Sequence, residues 1–163
     1  MTESQNPNDP LEELRYEVFG FISRPVADVY QAVADPEQLS EYFTTGGAQG
    51  RLETGATVTW DFADFPGAFP VEVVQAERDR LISIRWANAP GSVADDAGTL
   101  VEFTFTPVDG GARTKVTVTE SAWLPTPAGA QAAFGNCMGW TGMLAALKVW
   151  LEHGIVLRDE FYR

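Results

Sequence analysis

The sequence predicts an α+β fold: a curved antiparallel sheet of six to seven strands around one long C-terminal helix, with two short helices after the first strand. Three observations carry this prediction. The stretch Ala128 to His153, AGAQAAFGNCMGWTGMLAALKVWLEH, holds no proline and repeats apolar residues at helical spacing. The region from about Ala48 to Glu120 instead alternates apolar and polar residues with period two, cut by glycine-rich turn signals. Between the first strand and that region lie two short segments that begin with helix-start chemistry.

Leu11 to Ile22 reads as the first strand, with Leu14, Tyr16, Val18 and Ile22 of one parity and Arg15 and Glu17 of the other. Ser23 is placed to cap a helix over Arg24 to Ala34 that carries Val26, Val29, Tyr30 and Val33. Asp35-Pro36-Glu37-Gln38 supplies a cap, a proline at the first helical position and a capping-box glutamine, and the helix it starts ends near Tyr42-Phe43. A weak strand follows near Ala48 to Leu52, between Gly46-Gly47 and Glu53-Thr54-Gly55. Thr57 to Ala63 points Val58, Trp60 and Phe62 one way. Phe65-Pro66-Gly67 is expected to turn, and Val71 and Val73 resume the alternation to about Glu77. Leu81 to Trp86 follows the turn at Arg78-Asp79. A loop over Asn88 to Gly98 then leads to Leu100 to Thr106, with Val101, Phe103 and Phe105 inward. Asp109-Gly110-Gly111 is a hairpin signal, and Arg113 to Glu120 turns Val116 and Val118 inward. Successive strands with short turns make an antiparallel meander, and its apolar face needs a cover. The last helix supplies it. Thr126 caps it, Pro127 opens it, Gly154 stops it, and Cys137, Trp140, Met143, Leu144, Leu147, Trp150 and Leu151 form its apolar arc.

Composition narrows the function. The 163 residues suit a single domain over 11–163 preceded by a polar, disordered tail over 1–10. A net charge of -12 repels a phosphate backbone or an anionic membrane surface, so no nucleic-acid partner is expected. Ala132 to Leu151 is long enough to span a bilayer, but Asn136, Thr141, Lys148 and the glycines argue against a span. Cys137 is the one cysteine, so no intramolecular disulfide can form, and no signal peptide precedes Leu11. A cytoplasmic location is expected. His153 is the one histidine, which removes His-based metal sites and triads. No phosphate loop, dinucleotide fingerprint or zinc spacing is present, and no cofactor is expected.

Several strings are informative in their order. They begin with Ser23-Arg24-Pro25-Val26-Ala27-Asp28-Val29-Tyr30, Asp35-Pro36-Glu37 and Tyr42-Phe43. Further along come Val71-Glu72-Val73-Val74 with Arg80-Leu81, Thr99-Leu100-Val101-Glu102-Phe103, and Gly139-Trp140 with Leu144 and Leu147. Taken in order, they resemble the START-like (SRPBCC) superfamily, and within it the branch of homologues of the activator of heat shock protein 90 ATPase. The branch's glycine pair before the third strand is only Thr54-Gly55 here. The resemblance implies a helix-grip fold with a cavity between sheet and helix. It does not fix an activity, since this superfamily is similar to carriers, cyclases, hormone receptors and co-chaperone domains alike. A chaperone partner follows from the family analogy alone.

The cavity would hold a small hydrophobic or aromatic ligand. Its expected lining is Trp60, Phe62, Trp86, Phe103 and Phe105 from the sheet, with Cys137, Trp140, Met143, Leu144 and Leu147 from the helix. The bland alternative is that these side chains fill a dry core. Glu120 is the one catalytic candidate. Its parity is inward, and if buried it could orient a ligand or act as a general acid for a cyclase or hydrolase. The simpler expectation is that the strand ends there and the carboxylate reaches water, because a buried unpaired carboxylate is expensive. Gly135, Gly139, Gly142 and Ala146 make a small-residue stripe on the last helix. It is expected to pack the short helices or, alternatively, the same helix of a second subunit in a homodimer, so that Gly139→Leu would clash.

Overall fold

The computed structural model describes residues 6–93 and 96–163. Residues 1–5 of the expected tail and residues 94–95 of the expected loop lie outside the described residues. The chain runs β1 (Leu14–Ile22), α1 (Val26–Ala34), α2 (Pro36–Tyr42), β2 (Gly47–Gln49), β3 (Thr57–Phe62), β4 (Phe65–Glu77), β5 (Leu81–Trp86), β6 (Thr99–Val108), β7 (Arg113–Trp123) and α3 (Pro127–His153). The sheet order is β1-β7-β6-β5-β4-β3-β2, every pair antiparallel. The first strand thus lies beside the last. The helical pair α1–α2 carries the chain from that edge to the opposite one, where β2 begins the meander.

Register shifts interrupt the pairing at Trp60/Phe62, Val73/Gln75 and Leu14/Tyr16. Such bulges raise the local twist and bend the strands, which lets a seven-stranded sheet curl around one helix. Val58, Trp60, Val71, Val73, Ile82, Ile84, Val101, Phe103, Phe105, Val116 and Val118 are buried on its inner face. They pack against Trp140, Met143, Leu144 and Leu147 of α3. Each such side chain contributes about 1.5–3 kcal/mol relative to leaving it exposed. The ends of α3 follow their residue types: Thr126 Oγ1 accepts from Gly129 N at 3.1 Å, and Gly154 terminates the helix at φ 65°.

The structure differs from the sequence prediction at several points. α1 starts at Val26 with Pro25 as its cap residue, and Ser23 makes no capping bond, because Pro25 supplies no N–H for a cap to satisfy. The turn after β3 falls at Ala63-Asp64 rather than Phe65-Pro66-Gly67, which belong to β4. Asp35 caps α2 through Glu37 N at 3.0 Å, without a reciprocal bond from Gln38. β7 continues past Glu120 to Trp123.

That last extension is made through a bulge. Tyr16 pairs with Glu120 and Leu14 with Trp123, so β7 carries one residue more than β1 between these pairs, and Ala122 adopts φ 71°. A side chain in the left-handed region costs about 1–2 kcal/mol. Glycine would remove this cost, offset in part by its own chain entropy. Ala122→Gly is therefore expected to raise the unfolding free energy by about 0.5–1 kcal/mol, read from the urea midpoint at unchanged slope.

Candidate functional site

Beyond the bulge, β7 ends under the loop that follows β5. Glu120 is consequently covered rather than terminal, and it is 0% exposed. This corrects the expectation that it reaches water. The carboxylate is not unpaired, however, since donors from four elements converge on it. Thr99 Oγ1 of β6 lies 2.5 Å and Trp86 Nε1 of β5 2.9 Å from Oε1. Trp140 Nε1 of α3 lies 2.8 Å from Oε2, where the Tyr16 hydroxyl of β1 also donates. Asn136 Nδ2 of α3 reaches both oxygens at 3.2 and 3.3 Å. Two indoles and an amide NH₂ can only donate, so an acceptor-only carboxylate is the group that satisfies them. Burial, together with the neighbouring carboxylate, pushes the Tyr16 phenol above its ordinary range, so Tyr16 stays a hydrogen-bond donor. This network ties α3 to β1, β5, β6 and β7 at one level of the fold.

Trp86, Trp140 and Asn136 have a second side. Together with Phe43, Phe62 and Phe65 they face an aromatic cavity of about 370 Å³ between the sheet and α3. Neighbouring rings stand 5.1 Å apart for Phe43–Phe62, 5.7 Å for Phe43–Trp140 and 5.1 Å for Trp86–Trp140. The helix side carries Gly135, Met138 and Gly139, and a Cβ built on either glycine would meet nothing within 4 Å. The remaining wall is Arg158 and Tyr162, from the chain after α3. Arg158 is 6% exposed and donates to Asp64 at 2.7 and 3.0 Å, a bidentate pair, while its guanidinium lies over Phe62 and Tyr162. Hydrogen bonding from Arg158 holds the Asp64 carboxyl below the usual aspartate range. Tyr162 crosses α3 at Gly142, where a Cβ would lie 2.2 Å from its hydroxyl.

The glycines of the small-residue stripe therefore have different neighbours from those expected. Gly135 and Gly139 border the cavity and Gly142 admits Tyr162, while Ala146 is buried and α1 packs on both α3 and the sheet, with Tyr30 edge-on to Phe105 at 5.3 Å. Of the side chains expected to line the cavity, Phe62, Trp86 and Trp140 do so. Trp60, Phe103, Phe105, Met143, Leu144 and Leu147 are buried in the core behind it, and Cys137 is half-buried outside its lining. Glu120 does not touch it. Sequence reasoning missed Phe43, Phe65, Asn136, Met138, Arg158 and Tyr162. The local pattern held little signal for the last two, since Ile155, Leu157 and Phe161 of the same segment stay exposed while Arg158 is buried.

Among the described residues no group of three or more His, Cys, Asp or Glu could hold a metal ion, and no helix is long and apolar enough to cross a membrane. No curated protein matches the chain. Solved structures do. A protein from Staphylococcus saprophyticus is 25% identical with a TM-score of 0.73, covering 89% of this chain and 96% of its own. DynU16, from the dynemicin biosynthetic locus, is 29% identical with a TM-score of 0.67 over 86% of this chain and 48% of its own. The Aha1 dimer from Colwellia psychrerythraea, 22% identical with a TM-score of 0.67 over 86% of this chain and 98% of its own, shares the fold. The family model described as activator of Hsp90 ATPase homolog 1-like protein matches residues 23–152, from just before the helical pair into the last turn of α3, and the chain belongs to that family.

Proposed function

We propose that this protein binds a small apolar or aromatic molecule in the cavity between the sheet and α3. The observation that carries the proposal is the cavity itself: about 370 Å³ walled by aromatic rings, with two glycines leaving open space on the helix side. Gly135, Gly139 and Gly142, past the first turn of α3, cost about 0.5–1 kcal/mol each relative to alanine. Room for a ligand gives two of them a reason. Catalysis by Glu120 is disfavoured, because its oxygens are occupied by five donors and it does not border the cavity.

Gly139→Leu tests this reading. The new side chain has space to enter, and leucine favours the helix by about 0.8–1 kcal/mol over glycine, so stability is expected to hold or rise. This replaces the clash expected from the sequence. Binding of two- and three-ring aromatic compounds, followed by quenching of tryptophan emission from Trp86 and Trp140, is expected to weaken more than tenfold. A parent protein that responds to none of these compounds would overturn the proposal.

A further inference from the structure

The hydrogen bonds around Asn136 bear on the chemical class of occupant, given the ligand-binding reading above. Thr99 Oγ1 donates to Glu120 and so accepts from Asn88 Nδ2, at 2.7 Å. Asn88 therefore turns its Oδ1 towards Asn136, whose Nδ2 donates to it at 3.0 Å as well as to Glu120. Both acceptors claim the amide nitrogen of Asn136, so its orientation is fixed by the network. Its Oδ1 receives no hydrogen bond from the described residues. Asn136 borders the main cavity and also a smaller recess of about 120 Å³ beside Asn88 and Phe69, and Oδ1 is the polar atom of its side chain that the network leaves without a partner. The cationic group on the wall, Arg158, already has its charge paired with Asp64.

We infer that Asn136 Oδ1 is a specificity determinant that selects uncharged aromatic ligands bearing a hydrogen-bond donor, such as a phenolic hydroxyl, over donor-free or anionic ones of the same size. Oriented one way by a buried carboxylate, the amide cannot rotate to serve an acceptor without placing its oxygen against Glu120. A donor-free ligand would leave the oxygen desolvated and unpaired, and an anion would face it directly.

The test is calorimetric titration of the full chain with 2-naphthol, 2-methoxynaphthalene and 2-naphthoate. The expected order places 2-naphthol about tenfold tighter than its methyl ether, the effect of one buried hydrogen bond and its unmet partner, with the anion weaker still. Asn136→Leu is expected to erase the difference between naphthol and ether. Should that variant fold poorly, the parent's own ranking decides. Equal binding of all three, or tightest binding of the naphthoate, would overturn the inference while leaving a ligand cavity standing. Binding of none would overturn both.

Discussion

Glu120→Gln is expected to lower the unfolding free energy by about 3–5 kcal/mol. Whichever carboxylate oxygen becomes NH₂, it meets an indole: Trp86 on the Oε1 side or Trp140 on the Oε2 side. A hydroxyl could reverse and accept, as Thr99 and Tyr16 can, but an indole N–H cannot. One orphaned buried donor costs about 1–3 kcal/mol, and the charge-assisted bonds to the remaining donors weaken as well. For a chain of this size that loss lowers the melting temperature by about 10 °C, which calorimetry reads directly. Tyr16→Phe offers the contrast. It removes one donor and leaves the carboxylate with Thr99, Trp86, Trp140 and Asn136, so about 1 kcal/mol is expected. If the two substitutions cost the same, the network is not organised around the carboxylate.

Arg158→Ala is expected to cost about 2–4 kcal/mol and to free the segment after α3. It strands Asp64, whose side chain is 11% exposed, and removes the guanidinium stacked over Phe62 and Tyr162. Hydrogen exchange at 155–163 should rise in the variant with little change at the sheet. The parent chain should show a related transition in acid. Asp64 titrates lower folded than unfolded, so the stability due to the pair is full above the ordinary aspartate pKa of about 4 and is lost as pH falls through the folded value. Asp64→Asn should remove that acid-dependent component. A pH profile identical to that of the parent would show that other carboxyl groups govern it.

The strands, both short helices and the long helix were legible in the sequence because each has a local cause. Val101, Phe103 and Phe105 alternate because one sheet face is buried, and Thr126-Pro127 and Gly154 bracket α3 because helix ends need such residues. The order of these elements also carried the family. The site was legible only in part. Phe62 and Trp86 have the right strand parity and Trp140 lies on the apolar helix arc, yet neither pattern can distinguish a side chain facing the cavity from Phe103 or Leu147, which are buried in the core behind it.

Glu120 marks the limit most sharply. By its residue type and place in the chain it belonged at a strand end in water, since nothing local can pair it. What decided otherwise was a bulge at Ala122 that carries β7 onward, together with donors at positions 16, 86, 99, 136 and 140 that meet only once the sheet has closed around the helix. The sequence alone determined the elements, their order and the acidic, aromatic character of the chain, because those depend on neighbours within a few residues. The buried carboxylate, the wall built by Arg158 and Tyr162, and the space above Gly135 and Gly139 were decided by the tertiary structure. Each of these depends on a contact between residues far apart in the chain, or on its absence, and no local pattern records that.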